Sequence, residues 1–350
     1  MITLNEKVKN KKILFLSVKF FDYEKLISDK LTSMGAEVIY YDERPSNSKW
    51  AKGIIRINRD FLKRKITRYY KDILKNIKDQ KIDYFLLIKG EVAPKFFIKK
   101  LRTMNPNIVM IYYNFDSFAN NPNAIKIISF FDRKFTFDHE DALTYDLDFR
   151  PLFFIDDYAK IYNENKHFKY DLTFIGTTHT DRYLISEQLA SWCKLNHLRS
   201  YAFYFSHSRL VFLYQYLFDA TFKNFSYKKL KFKSLTHNQI IKLYKESKII
   251  LDINHPHQKG LTMRTFEALG AGRKLITTNA EIIKYPFYNV QNVLIIDRND
   301  IKIDSKQFFE TDFEIIDNAL YKKMSIDGWL HCLFVESETS FWYNYLNTNK

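Results

Sequence analysis

"KIILDINHPHQKGLTMRTFEALGAGRKLITT", residues 248–278, decides the reading of this chain. "KIILDIN" (248–254) is short and apolar, as a buried strand is, and residues 261–270 carry apolar side chains at helical spacing. Gly270 and Gly272 stop that helix and turn the chain into "RKLITT" (273–278), a second strand. A strand, a helix and a strand in so few residues place both strands in one parallel sheet, covered by the helix.

The same alternation extends in both directions. Upstream, "YDLTFIG" (170–176) reads as a strand, 181–195 as a helix, "SYAFYF" (200–205) as a strand and 236–247 as a helix; downstream, "NVLIID" (292–297) adds a strand. The first half repeats the pattern, with strands at 11–18, 36–41, 83–89, 107–114 and 133–137 and helices at 23–35, 58–80 and 121–130. A helix opens near Pro94, and 313–347 reads as terminal helices. The expectation is an α/β protein of two doubly wound domains with a cleft between them: 1–152, a linker over 153–169, 170–328, and a last helical segment over 329–350.

Composition agrees with a folded core. Of 350 residues 46% are hydrophobic, with 32 Phe and 24 Tyr against 8 Gly and 7 Pro, which excludes disordered and collagen-like chains. No stretch reaches the roughly 18 uncharged apolar residues of a membrane span; "SRLVFLYQYLFDATF" (208–222) comes closest and is polar-broken and too short. The amino terminus lacks the features of a secretory signal, and two cysteines, Cys193 and Cys332, imply no disulfide framework. A cytoplasmic protein is expected. The net charge of +15 implies attraction to polyanions: phosphorylated small molecules, anionic lipid or nucleic acid. Lysines spread over helical faces, with aromatics between them, keep adhesion to an anionic membrane open.

In open α/β sheets ligands bind where strand carboxyl ends meet helix amino ends. Four loops qualify: "KGE" (89–91), "NFDSF" (114–118), "GTTHTDR" (176–182) and "NHPHQKGLTMR" (254–264). In the third, Gly176 admits close backbone approach, Thr177 and Thr178 offer hydroxyls, and Arg182 at a helix start can bind phosphate bidentately. Threonine caps are the alternative there. In the fourth, Arg264 and Glu267 stand three apart in the first turns of a helix beginning near Leu261. They form an ion pair, or Arg264 binds an anion while Glu267 accepts from sugar hydroxyls. His255 and His257 lack the companions of a metal site, and no metal is expected. Glu91 and Asp116 are the first-domain carboxylates placed to orient a hydroxyl or act as a base, with helix capping as the alternative; Lys89 neutralises Glu91 or binds an anion.

At these residues a family becomes recognisable. "YDLTFIGTTHTDR" followed by "LDINHPHQKGLTMRTFEALGAGRKLITTN" resembles the carboxy-terminal half of GT-B-fold glycosyltransferases. The resemblance is strongest to the bacterial group 1-like proteins of capsule, lipopolysaccharide and spore-surface polysaccharide synthesis. "KGE", "YYNFDSF" and "FDRKFTFDHEDA" resemble their amino-terminal half. The resemblance implies two Rossmann-like domains facing across a cleft, with the last helix crossing back. It implies a nucleotide-diphosphate sugar as donor, bound mainly by the second domain through Gly176, Thr177, Thr178, Arg182, His255, Gln258, Lys259, Gly260, Leu261, Thr262, Arg264 and Glu267. A glycan or lipid-linked acceptor would approach the first domain, at Glu91 and Asp116, with Arg264 supporting catalysis and no cofactor required. "EALGAGRKLIT" matches the family's second glutamate at Glu267, expected on the donor ribose, whereas Lys259, eight residues earlier, replaces its first. Two other readings stay open: a sugar-nucleotide epimerase or hydrolase of the same fold, which would consume donor without acceptor, and a basic nucleic-acid-binding protein of sequence-blind, salt-sensitive affinity.

Overall fold

The computed structural model describes residues 3–46, 48, 59–162, 164, 167–178, 181–206, 208–218, 222, 225–256, 258–303, 306–335 and 341–342. His257, with His179 and Thr180 of the "GTTHTDR" loop, lies outside the described residues. The chain divides into two compact units, one formed by Met1–Pro151 with Asp327–Thr348 and the other by Leu152–Ile326.

The first unit is a six-stranded sheet in the order β2-β1-β3-β4-β5-β6. Its strands are β1 (Lys12–Ser17), β2 (Glu37–Asp42), β3 (Tyr84–Ile88), β4 (Val109–Asn114), β5 (Arg133–Thr136) and β6 (Asp148–Phe149). All pairs are parallel. Strand β3 is buried along its whole length, as a central strand covered on both faces must be. The helices Lys63–Asn76 and Lys95–Met104 bring Tyr70, Ile73, Phe97 and Leu101 onto this sheet, in a core that also holds Phe85, Leu87 and Tyr112.

The second unit repeats the design in the order β12-β11-β10-β7-β8-β9. Its strands are β7 (Tyr170–Thr177), β8 (Ser200–Phe205), β9 (Leu230–Lys231), β10 (Ser247–Asp252), β11 (Lys274–Thr277) and β12 (Val293–Ile295), again all parallel. In both sheets the winding direction reverses beside the first strand, between β1 and β3 and between β7 and β10. These reversals are the topological switch points at which such sheets open a crevice.

Several local expectations are corrected. The helix expected over 121–130 is a short turn of helix, Pro122–Ile125, followed by a 3-10 turn, Ile128–Phe130. The long basic helix is confined to Lys63–Asn76 among the described residues, and residues 313–317 precede the terminal helices Asn318–Met324 and Ile326–Phe334. The segment 153–169 contains a helix, Asp156–Tyr162, whose Tyr158 and Ile161 are buried. Strands β6 and β9 have no counterpart in the sequence reading, because two residues cannot show an alternation.

Candidate functional site

The second unit's switch point gathers a charged cluster at the ends of β7 and β10. Asp252, the last residue of β10, is fully buried. Its Oδ2 accepts from the hydroxyls of Thr262 at 2.6 Å and Thr265 at 3.0 Å, and its Oδ1 from Arg264 Nη1 at 3.0 Å. A buried carboxylate needs such partners to offset its desolvation. Here the partners all come from the start of the helix Met263–Gly270, so Asp252 pins that helix's amino end to the strand. Thr262 is the N-cap residue, yet its hydroxyl serves Asp252 and makes no cap bond. Burial disfavours a charged Arg264, but Asp252, Tyr244 and Glu267 together hold its pKa above the ordinary value. Arg264 therefore pairs with Asp252, while Glu267 accepts from the Tyr244 hydroxyl at 3.0 Å.

Two more arginines converge there. Arg182 opens the helix Arg182–Leu195 and reaches back to the Thr177 hydroxyl at 3.2 Å. Burial, then repulsion by Arg264 and Arg298, push its pKa down to about 10. Arg298, beyond β12, clamps Asp181 through Nη1 at 2.6 and 2.7 Å. Its Nη2 reaches Asn254 O at 2.6 Å and Thr278 Oγ1 at 3.2 Å. Arg264, Arg298, Asp252 and Asp181 act on Arg182, and Glu267 acts on Arg264, so three guanidinium groups stand beside three carboxylates in this cluster. It lies where helix amino ends already favour an anion.

The remaining expected residues take distinct places. The loop before the helix is held by its own polar groups: Asn254 Nδ2 donates to Gln258 O, Gln258 Nε2 to Gly260 O, and Asn279 Nδ2 to Lys259 O. Gln258 thus spends its amide on the loop. His255 and Lys259 are exposed, whereas Leu261 is buried in the core. Thr178 is buried, with N–H and hydroxyl both bonded to Phe205 O. Gly176 lies inside β7 and shares a sheet face with Phe174, whose ring would stand 2.4 Å from an added Cβ. Its missing side chain makes room for that ring. Asp252, Arg298, Asp181 and Asn254 are the residues that sequence reasoning missed. The one legible signal was an aspartate ending an apolar strand, which has to be paired if buried.

In the first unit "KGE" forms a tight turn after β3, with φ of +80° at Lys89 and +71° at Gly90. A left-handed lysine is strained, and it is held by bonds to its carbonyl from Tyr112 Oη at 2.8 Å and Asn121 Nδ2 at 2.5 Å. Gly90 is required twice over, since an added Cβ would also meet Ile127 and Tyr112 at 3.1 Å. The turn joins Lys89 Nζ to Asp116 at 3.0 Å and to Glu91 at 3.6 Å, and Arg44 Nε binds Glu91 at 2.5 Å. The two predicted carboxylates therefore belong to one network bridged by Lys89. Asp116 also caps locally, accepting from Ser117 N at 2.9 Å and Asn120 Nδ2 at 3.2 Å. Behind it Glu43 is completely buried; its Oε1 accepts from Val92 N at 2.6 Å and Ala93 N at 3.1 Å, while Oε2 has no hydrogen-bond partner among the described residues. Desolvation pushes its pKa up to about 7, and Glu91 adds to the rise. Phe20, after β1, stacks on Phe115, after β4, with centroids 5.1 Å apart.

Among the described residues no three His, Cys, Asp or Glu side chains gather in a metal-binding arrangement, and no helix is long and apolar enough to cross a membrane.

Residues 195–315 match the family model described as glycosyl transferase-like, a stretch that contains Asp252, Arg264, Glu267 and Arg298. No curated protein matches the chain. Among solved structures, a glycosyltransferase from Rickettsia africae aligns over 97% of this chain and 99% of its own, with a TM-score of 0.52 and 14% identity. The Anabaena protein HepE, crystallised with UDP and glucose, aligns over 92% of this chain and 97% of its own, with a TM-score of 0.52 and 9% identity. At such identities the likeness is one of fold. The chain thus has the α/β fold of the GT-B glycosyltransferases, two parallel six-stranded sheets with flanking helices, and its residues 195–315 are similar to the glycosyl transferase-like family.

Proposed function

We propose that the protein is a glycosyltransferase that moves a sugar from a nucleotide-diphosphate donor to a glycan or lipid-linked acceptor in bacterial surface polysaccharide synthesis. The observation that carries this reading is the convergence of Arg182, Arg264 and Arg298 on the switch point of a sheet whose segment matches a glycosyl transferase-like family. In such a transfer the bond from the sugar's anomeric carbon to the diphosphate oxygen breaks, and a bond to the acceptor oxygen forms. Negative charge grows on the leaving diphosphate. Prepositioned cations in a partly dry site stabilise that charge without reorganising. Arg264 is held ready by Asp252, and Arg182, with its pKa depressed, gains from any anion that arrives. The diphosphate would meet these arginines and the amides at the start of the helix Met263–Gly270. Glu267 would accept from the ribose hydroxyls, and no metal or cofactor is required.

On the first unit, Glu91 and Asp116 orient the acceptor hydroxyl and receive its proton, with Lys89 bridging the two. The Phe20–Phe115 pair gives the acceptor an apolar face to rest on.

A thermal-shift screen with UDP, ADP, GDP and dTDP and their sugars tests the reading. One diphosphate should raise the melting temperature, and UDP, the nucleotide bound by HepE, is the first candidate. Arg264→Ala should weaken that ligand roughly 10- to 100-fold, the worth of one charge-assisted hydrogen bond. Folded Arg264→Ala and Glu267→Ala variants that bind and turn over donor as wild type does would remove the site.

A further inference from the structure

The stretch that came closest to a membrane span contains the helix Arg209–Phe218 of the second unit. Phe212 faces inward, against Phe222 and Phe225. Outward point Leu213, Tyr214, Leu217 and Phe218, which are 52%, 65%, 62% and 74% exposed. At about 100° per residue these four share an arc of about 140°. The rings of Tyr214 and Phe218 lie 4.9 Å apart on it. A surface helix ordinarily turns polar side chains to water, whereas this one exposes these four apolar and aromatic ones as well as burying Phe212. Contiguous apolar exposure of this kind marks a docking surface.

The exposed apolar face is bordered by positive charge. Tyr227, 52% exposed, touches the inner side of the helix at Phe212, with centroids 5.8 Å apart, and leads into exposed Lys228, Lys231 and Lys233. Arg209 stands 5.5 Å from the Phe232 ring. Residues 225–234, "FSYKKLKFKS", hold four lysines and no acidic residue. Glu187 pairs with Lys229 of the band.

We propose that this helix lies in the plane of an anionic membrane surface, with Leu213, Tyr214, Leu217 and Phe218 in the acyl boundary and the lysine band on the lipid phosphates. Apolar side chains beside lysines, with tyrosines at the level between, match the layers of a lipid interface. A nucleic-acid backbone would satisfy the lysines and leave Leu217 and Phe218 without a partner. A second copy would bring an equally positive band against this one in a two-fold contact. The docking face names where a lipid-linked acceptor is met, and in that respect rests on the proposed function. Docking itself is read without donor or acceptor, so the two readings fail separately.

The test is flotation of the full chain with vesicles of phosphatidylcholine alone or mixed with phosphatidylglycerol. Wild type should float with the anionic vesicles, less so at high salt, and not with the neutral ones. Leu213→Ser/Leu217→Ser/Phe218→Ser and Lys228→Glu/Lys231→Glu/Lys233→Glu should each lower the partition at least tenfold, with far-ultraviolet circular dichroism and donor-induced thermal shift unchanged. Cys193 and Cys332 are buried, so Leu217→Cys can be labelled selectively with an environment-sensitive fluorophore, whose emission should shift to the blue on anionic vesicles only. The proposal is overturned if both variants float like wild type or the label shows no shift. It also falls if light scattering finds a wild-type dimer that the serine variant dissociates.

Discussion

At the scale of the residue, Glu43 shows how burial turns a common side chain into a pH-dependent load. Its carboxyl has a folded pKa of about 7, raised first by desolvation and then by Glu91. The ordinary value is 4.5, so between these limits the folded state holds a proton that the unfolded state has released. Stability should therefore be complete below about pH 4.5, fall as pH rises towards 7, and stay reduced above it, by about 3 kcal/mol. Glu43→Gln keeps an acceptor for Val92 and Ala93 and cannot ionise; urea unfolding at pH 5 and pH 8 should show a larger difference in wild type than in the variant, where Asp141, pushed up to about 6 by burial, still titrates. Asp252 is a second buried acid, and it has two hydroxyls and Arg264 as partners. Asp252→Ala should lower stability by about 3 kcal/mol, because it strands a guanidinium, and weaken nucleotide binding by releasing the helix start. A variant as stable as wild type in urea would show that the pair holds nothing.

At the scale of the element, each site rests on where a strand ends. The third strand ends in two left-handed residues, Lys89 and Gly90, which turn the chain sharply enough to bring Lys89 onto both Glu91 and Asp116. "KGE" was legible as a strand-end loop with charge, but not as the bridge between two carboxylates, since that depends on φ values no residue type dictates for lysine. The helix Ile326–Phe334 is fixed to the first sheet from its end. Arg133 on β5 donates to the carbonyls of Leu333 at 2.9 Å and Val335 at 3.0 Å, and Trp329 packs edge-on against Tyr113 with centroids 4.9 Å apart. Terminal carbonyls lack partners within a helix, so an arginine aimed at them is worth more than an exposed ion pair. Arg133→Ala should cost about 1 to 3 kcal/mol in urea unfolding. A change within 0.5 kcal/mol would show that the helix is anchored by its other contacts, Trp329 on Tyr113 and Phe334 on Tyr84 among them.

At the scale of the whole molecule, the two sheets are variations on one winding pattern carrying different chemistry: bridged carboxylates in the first and converging arginines in the second. Ligand binding should therefore register in the second unit. Hydrogen exchange with saturating nucleotide diphosphate should slow at 176–182, 252–264 and around Arg298, and remain unchanged in the core of the first sheet. At a hundredfold excess over Kd the ligand adds about 2.7 kcal/mol to stability. Protection confined to the first unit would reverse the assignment of donor. The amino-acid sequence by itself determined the alternation of strands and helices, the parallel sheets and the strand-end loops, because hydrophobic period and strand ends are local properties of the chain. It also marked Arg182, Arg264 and Glu267. Only the tertiary structure decided which groups meet. It paired Arg264 with Asp252, brought Arg298 to Asp181 from 117 residues away, placed Leu261 and Thr178 in the interior, and turned a row of apolar side chains outward on the helix Arg209–Phe218. Those outcomes depend on strand order and on which helix face a sheet covers, and neither is encoded in any single segment.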